Sequence, residues 1–335
     1  MTRVAAALLG VLALGCSEPV DAPVVQVPTN LGARLPEPEH NPTTAEGVAL
    51  GRALFFDPRL SGPNTIACAD CHSPDRCYSD GQVRSVGASG ELLLRHTPAL
   101  INLAWASGSF WDGGAKNLES QVFGPLTSPA EMAADTRTLV AELDADPELR
   151  AAFERAFPDE GLTLGTIARA LAQFERSLVF ADSAYDRRVR GELLEPASAL
   201  EQRGHALFLQ WCASCHPPDH FTDFGYHDIG LDASLSDEHE RLAWGRGRIS
   251  GDARDRGAFK TPTLRNVAIT APYMHDGRFA TLEQVLEHYR HGLVDSPNLA
   301  PQLRGRDGRP GLELDDGESQ AIIAFLHTLT DHCRD

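Results

Sequence analysis

Two short stretches decide the fold of this sequence: Cys68-Ala69-Asp70-Cys71-His72 and Cys212-Ala213-Ser214-Cys215-His216. In each stretch two cysteines enclose two residues, and a histidine directly follows the second cysteine. This spacing is typical of c-type haem attachment, in which both thiols bind the porphyrin vinyl groups and the histidine becomes an axial ligand of the iron. Zinc sites and redox dithiols also use paired cysteines, but two copies with an adjoining histidine favour haem. The sequence therefore predicts two covalently bound haem c groups.

The sequence around these stretches occurs twice. A Gly-x-Ala-Leu-Phe pentapeptide precedes each haem motif, at 51–55 and 204–208. Downstream, residues 97–104 match residues 261–268 at an offset of 164 residues, and the same offset relates several later positions. Repetition at a fixed offset indicates duplicated structural units. Because apolar residues recur at helical spacing and almost no alternating strand pattern is present, we expect a mainly α-helical protein with two duplicated cytochrome c-like haem domains.

The first residues are typical of an export signal. Met1-Thr2-Arg3 is followed by an apolar run, 4–14, that is too short to span a membrane. The run ends at Gly15-Cys16, as in a bacterial lipoprotein signal, in which Cys16 carries the lipid; an ordinary secretory signal is the alternative. We therefore expect a periplasmic protein that is anchored to the outer membrane as a lipoprotein. The expected segments are a signal peptide at 1–16, a proline-rich tether at 17–42, and haem domains at 43–190 and 191–335.

Composition and charge limit the kinds of partner. The chain has 335 residues, 42% of them apolar and 23% charged, which is typical of a globular protein. Its net charge of -17 argues against a nucleic-acid partner and suits a partner protein with a basic patch. Of the seven cysteines, four belong to the haem motifs and one to the signal. The remaining two, Cys77 and Cys333, form a disulfide in an oxidising compartment or remain free thiols.

The two copies differ where the open side of each haem is expected. At the 164-residue offset, Pro125 of the first copy corresponds to Tyr289 of the second. Proline offers iron no ligand, so the first haem would be open to peroxide. Tyrosine can ligate iron as a phenolate and would close the second haem opposite His216. The alternative for Tyr289 is an aromatic side chain that packs between helices.

In the order of its motifs the chain resembles the bacterial di-haem cytochrome c peroxidase/MauG family, over about residues 43–330. Besides the haem motifs, the resemblance is carried by Phe110-Trp111-Asp112-Gly113, Gln121, Gly124-Pro125, Glu131-Met132, Thr261-Pro262-Thr263-Leu264-Arg265-Asn266 and Ala271-Pro272-Tyr273-Met274-His275-Asp276-Gly277. It implies that Trp111 relays electrons between the haems and that Gln121 and Glu131 line the peroxide pocket of the first haem. A carboxylate there is suited to moving a proton between the two oxygens of peroxide.

Departures from the family pattern resemble its MauG-like/MbnH-like branch. Peroxidases of the family carry a removable histidine ligand where this chain has Ala88, and a methionine where it has Tyr289. An anionic phenolate favours high oxidation states, whereas methionine raises the reduction potential. The resemblance also implies a calcium ion on the backbone carbonyls of Thr270 and Pro272 and on an asparagine, but the asparagine position is His96. Imidazole is a poor ligand for calcium, so the sequence does not decide whether this ion is bound.

The resemblance implies a di-haem oxidoreductase that uses hydrogen peroxide, through a high-valent di-haem state, to oxidise a Trp or Tyr side chain of a periplasmic partner protein. In the methanobactin-associated type that partner is copper-binding. Trp211 and Trp244 are candidate points where electrons cross the surface, or plain packing residues. The alternatives are a peroxidase fed by a small cytochrome c or cupredoxin, and an electron carrier with both haems six-coordinate. We expect the charged segment 231–256 to be a surface loop, and a docking site is the alternative.

Overall fold

The computed structural model describes residues 23–232 and 243–333. Within these residues the protein is mainly α-helical with one small two-stranded sheet, which confirms the expected fold class. No described helix combines the length and apolar character needed to cross a membrane. The expected signal and Cys16 lie outside the described residues. The elements are α1 (Ala45–Phe55), α2 (Cys68–Cys71), α3 (Leu118–Gln121), α4 (Phe123–Thr127), α5 (Thr136–Asp144), α6 (Pro147–Ala156), α7 (Leu164–Ser177), α8 (Ala184–Val189), α9 (Ala199–Trp211), β1 (Tyr226–Asp228), α10 (Gly247–Ser250), β2 (Ala258–Lys260), α11 (Leu282–Glu287) and α12 (Asp316–His327).

Each module is organised around one close crossing of two helices. In the first module α1 crosses α7 at Gly51, where an added methyl group would overlap the carbonyl oxygen of Ala170. In the second module α9 crosses α12 at Gly204, where a methyl group would overlap the carbonyl oxygen of Ala321. Because any larger residue would force these backbones apart, the repeated pentapeptides mark the same crossing in both modules. Separate hydrophobic cores surround the two crossings.

The modules face each other across an approximate two-fold relation. The backbone N–H of His96 donates to the carbonyl of His275 at 2.9 Å, and the N–H of Lys260 donates to the carbonyl of Trp111 at 2.7 Å. His96 and Lys260 are equivalent at the 164-residue offset, and so are Trp111 and His275. The two hydrogen bonds are therefore one contact made twice, once in each direction.

The N-terminal part of the described chain reaches the second module through Asp186. Leu31 is buried, and the Asn30 side chain donates to Asp186 at 2.7 Å. Asp186 in turn receives two hydrogen bonds from the guanidinium of Arg265, at 2.8 and 2.9 Å, in a fully buried ion pair. Buried charges need such complete pairing. The stretch expected to be a tether, 17–42, thus makes specific contacts at Asn30 and Leu31. The boundary of this stretch at residue 42 stays a prediction.

A disulfide joins Cys77 to Cys333, with their α-carbons 4.8 Å apart. Both residues are buried in the core of the first module. The disulfide therefore connects residue 333, beyond α12 of the second module, to the loop that follows the first haem motif. Of the two possibilities left open by the cysteine count, the structure has the paired form.

Replacing Cys333 by serine should lower the free energy of unfolding by about 2–4 kcal/mol, because the unfolded chain loses a long covalent loop. Denaturant unfolding of the haem-loaded protein under oxidising conditions measures the effect. Wild-type protein treated with dithiothreitol should unfold like the variant. Equal stability of variant and untreated wild type would show that the disulfide contributes nothing.

Candidate functional site

Both haem motifs open into one cavity of about 1010 Å³ that is lined by residues of both modules. The thiols that line it are not in disulfides, and two histidines stand beside them. Most of the lining is apolar, as a porphyrin requires, and the donor set is the one that covalent haem attachment needs. The residues therefore fit two haem c groups. The attachment residues that line the cavity are Cys68, Cys71, His72, Cys212, Cys215 and His216.

The two haem histidines are held in the same way. Nδ1 of His72 lies 2.9 Å from the carbonyl oxygen of Tyr78, and Nδ1 of His216 lies 2.9 Å from that of Phe221. Since a carbonyl can only accept, each ring donates through Nδ1 and keeps its Nε2 lone pair for iron. Burial lowers the pKa of both imidazoles, which keeps them neutral. Each ring is thus prepared as an axial ligand.

Three residues expected at the peroxide pocket, Gln121, Pro125 and Glu131, line the cavity together. Burial raises the pKa of the Glu131 carboxyl, against a smaller opposing effect of a hydrogen bond with Ser128. The side-chain oxygen of Gln121 is buried without a hydrogen-bond partner among the described residues. A buried amide oxygen of this kind requires a polar partner. The pocket therefore presents a carboxyl group and an unused acceptor to the same space.

The loop that includes Ala88 closes against this pocket. The backbone N–H of Ala88 donates to the carbonyl of Glu131 at 2.6 Å, and Leu93 N–H donates to Ser85 at 2.8 Å. An added methyl group on Gly87 would overlap the carbonyl oxygen of Ala130, so the loop lies directly on the segment before Glu131. The side chain of Ala88 is a methyl group and offers iron no ligand. The loop therefore contacts the backbone of Glu131, and Ala88 supplies no ligand for a haem iron.

Tyr289 lies in a π-helical turn, His288–Gly292, that continues from α11. Such turns are rare and recur at functional sites because they shift the direction of the following side chains. Tyr289 lines the cavity, and burial, with a smaller effect of the nearby Cys212 and Cys215 thiols, raises the pKa of its phenol. Its hydroxyl has no hydrogen-bond partner among the described residues. A cationic iron at this place would reverse the pKa shift and favour the phenolate.

Trp111 lies at the contact between the modules. Its indole Nε1 donates to the carbonyl of His96 at 2.8 Å, within its own module. Its backbone carbonyl accepts from Lys260 of the other module, and its side chain lines the cavity. Hydrogen bonds with both modules therefore hold Trp111, the residue expected to relay electrons.

Of the three positions implied for calcium, the one occupied by His96 does not supply an oxygen ligand. Thr270 and Pro272 line the cavity. The imidazole of His96, however, is turned to Gln82, and its Nδ1 donates to that residue's carbonyl at 2.8 Å. Burial lowers the pKa of His96. A neutral imidazole engaged as a donor supplies no oxygen ligand to a hard cation.

Ion pairs hold the turn that follows Trp111. The buried carboxylate of Asp112 pairs with Arg95 at 2.9 Å and with Arg248 at 2.5 Å. Burial alone would raise the pKa of Asp112, but the two arginines lower it. Arg246 donates to the carbonyl of Gly113 at 3.1 Å. The segment around α10 is therefore fastened to the Trp111 turn.

The candidate surface tryptophans lie in different settings. Trp211 ends α9 and lines the cavity beside Cys212. Trp244 lies in the described part of the expected surface loop, with the guanidinium of Arg256 4.2 Å from its ring centre. Residues 233–242 of that loop lie outside the described residues. A role of either tryptophan in electron transfer stays a prediction.

Sequence reasoning missed Glu175, which also lines the cavity. It is buried, one of its carboxyl oxygens has no partner among the described residues, and burial raises its pKa to about 8. Because Ala170 and Ala321 are equivalent at the two helix crossings, Glu175 is equivalent to Leu326. Aligning α7 with α12 would have shown this acid at an apolar core position.

The chain is similar to known proteins in sequence and in overall structure. The family model described as "Di-haem cytochrome c peroxidase" matches residues 45–193. The methylamine utilization protein MauG of Methylorubrum extorquens is 40% identical over 301 residues, covering 88% of this chain and 81% of that protein. The cytochrome c peroxidase Ccp of Escherichia coli is 35% identical, covering 88% of this chain and 60% of that protein. The crystal structure of a MauG-like protein associated with microbial copper homeostasis superposes with a TM-score of 0.79 and 32% identity, over 94% of this chain and 96% of that one.

Replacing Tyr289 by phenylalanine should change the optical and electron paramagnetic resonance spectra of the second haem, because it removes only the oxygen that we expect to ligate the iron. The spectrum of the first haem should stay the same. Tyr273→Phe is the matched control, since Tyr273 lines the same cavity but already donates its hydroxyl to Val267 at 2.9 Å. Identical spectra of Tyr289→Phe and wild type would mean that Tyr289 only packs.

Proposed function

The chain belongs to the di-haem cytochrome c peroxidase/MauG family, and from this membership we propose that it uses hydrogen peroxide to oxidise a tryptophan or tyrosine side chain of a partner protein. Members of this family are haem enzymes with two c-type haems. When bound, the haems supply the redox chemistry that reduces peroxide by two electrons. The residues of this chain then decide where peroxide enters, where protons move and where electrons come from.

The observation that carries the proposal is the combination of Ala88, Pro125 and Tyr289. Ala88 and Pro125 leave the first site without a protein ligand on its open side, so peroxide can enter without prior removal of a side chain. Tyr289 projects into the second site, where an anionic oxygen ligand favours storage of oxidising equivalents rather than of electrons. A site that is open at rest beside one that stores oxidising equivalents suits oxidation of a protein side chain.

In this proposal Glu131 and Gln121 handle peroxide at the first site. Burial raises the pKa of the Glu131 carboxyl, towards the range in which a carboxyl can both accept and donate a proton. Glu131 would take the proton from the inner oxygen of peroxide and return it to the outer oxygen, which leaves as water. The unpaired Gln121 oxygen would hold the hydrogen of the incoming molecule. Trp111, fixed between the modules, would carry electrons between the two sites.

The partner and the location are part of the same proposal. One solved relative is associated with microbial copper homeostasis, which supports a copper-binding partner. The net charge of -17 supports a partner that presents a basic surface. We also propose export to the periplasm, where c-type haem is attached, and anchoring to the outer membrane through a lipid on Cys16. The haem domains would occupy 43–190 and 191–335.

A second candidate is supported by the names of the relatives, which include a cytochrome c peroxidase as well as MauG. In that function the chain would reduce peroxide with electrons from a small cytochrome c or cupredoxin. The two functions share Trp111 and Glu131. They differ in whether the resting, fully oxidised protein reacts with peroxide.

Adding one equivalent of hydrogen peroxide to the as-isolated, fully oxidised protein tests the proposal. The spectra of both haems should change together without a reductant, because the first site is open and coupled to the second. Optical and Mössbauer spectroscopy follow the two haems separately. A response only after one haem has been reduced would favour the peroxidase, and two six-coordinate, inert haems would identify an electron carrier.

Replacing Glu131 by glutamine should slow the reaction with peroxide by about 10²- to 10⁴-fold, because the amide cannot carry the proton. Stopped-flow measurement of the haem spectral change gives the rate. Glu154→Gln, on the exposed face of α6, is the control and should react like wild type. An unchanged rate in Glu131→Gln would exclude this carboxyl as the proton carrier.

A further inference from the structure

Tyr226, at the start of β1, fits into a gap beside the relay tryptophan. The gap exists because Gly108 and Gly113, on either side of the Trp111 turn, have no side chains. A methyl group on Gly108 would lie 2.7 Å from the Tyr226 hydroxyl oxygen, and one on Gly113 would overlap it. The phenol is therefore in van der Waals contact with the backbone two residues beyond Trp111.

The residues around Tyr226 tie it to the same turn. Tyr226 pairs with Lys260 in the two-stranded sheet, and the backbone N–H of Lys260 donates to the Trp111 carbonyl at 2.7 Å. The Lys260 ammonium donates to the Gly108 carbonyl at 2.5 Å. On the other face, the guanidinium of Arg246 lies 4.7 Å from the centre of the Tyr226 ring and donates to Gly113. These contacts hold the ring against the relay turn.

The hydroxyl of Tyr226 has no structural task in the described part of the protein. No described residue forms a hydrogen bond with it, and the nearby Asp112 carboxylate is already occupied by Arg95, Arg248 and the N–H of Gly114. Tyr226 is half-buried, so part of the residue reaches solvent. A phenylalanine would make the same packing contacts. What the hydroxyl adds is the ability to lose an electron and a proton together.

We propose that Tyr226 is the outer redox residue of the Trp111 relay. Electrons taken from the partner's side chain enter the enzyme through it. This inference rests on the proposed function and names the route for it. After peroxide has oxidised the enzyme, the phenol gives one electron to the relay and its proton to water, and becomes a neutral phenoxyl radical. The radical then takes one electron from the partner's side chain and one proton from water, which restores the phenol. Two such cycles consume the two oxidising equivalents of one peroxide.

The haem-loaded protein alone, treated with peroxide and a nitroso spin trap, tests this route. Peptide mass spectrometry should find the trap on the Tyr226 peptide of wild type and should find none there in Tyr226→Phe. The change of the haem spectra on peroxide addition should be equal in both. Tyr185→Phe is the matched control: Tyr185 donates to Asp219 at 3.2 Å in the core of the second module, and its loss should leave the labelling of Tyr226 unchanged.

A second variant keeps the tyrosine but moves it. Gly108→Ala introduces a methyl group that pushes the hydroxyl away from the turn, at a position without left-handed backbone geometry. Labelling of Tyr226 should fall in this variant. Undiminished labelling in Gly108→Ala, or no label on Tyr226 in wild type while both haems respond to peroxide, would overturn the inference alone. If neither haem responds to peroxide, the proposed function fails as well.

Discussion

The structure depends on one contact that is made twice, the exchange of backbone hydrogen bonds between residues 96 and 275 and between residues 260 and 111. Each bond connects the strand-like segment before a Thr-Pro pair in one module to the turn of the other. Because backbone groups make the contact, it places few demands on the side chains. Two modules that began alike can therefore change their side chains at the interface and still face each other across one cavity.

The side chains at equivalent positions have in fact become different. Where the first module has Pro125, the second has Tyr289, and where the first has Trp111, the second has His275. At the position of Glu175 in the first module, the second module has Leu326. Pro125 and Glu175 give the first site a more open and more acidic character, whereas Tyr289 and Leu326 enclose the second more closely. The proposed division of labour between the haems thus follows from departures within a symmetric frame.

Much of this could be predicted from the sequence, because it depends on local spacing. The haem motifs, the helical fold and the fixed offset that pairs Pro125 with Tyr289 all follow from residues close in the chain or from repetition. The π-helical turn at Tyr289, the orientation of His96 towards Gln82 and the contacts of Asn30 depend on the packing of distant segments. Helical periodicity marks the face that carries Glu175 as core, but it does not show that this acid lines a cavity.

The disulfide between Cys77 and Cys333 has a consequence for the timing of biosynthesis. The two cysteines are 256 residues apart, so the second leaves the ribosome long after the first. At ordinary rates of synthesis the interval is about 10–50 s. During that interval the loop behind His72 cannot be closed covalently by this disulfide. Since haem is attached after export in the proposed function, the order of the cysteines matters at the membrane as well: on export from the N-terminal end, Cys68, Cys71 and Cys77 cross before Cys333, so the first haem motif can be reached before this disulfide closes the loop.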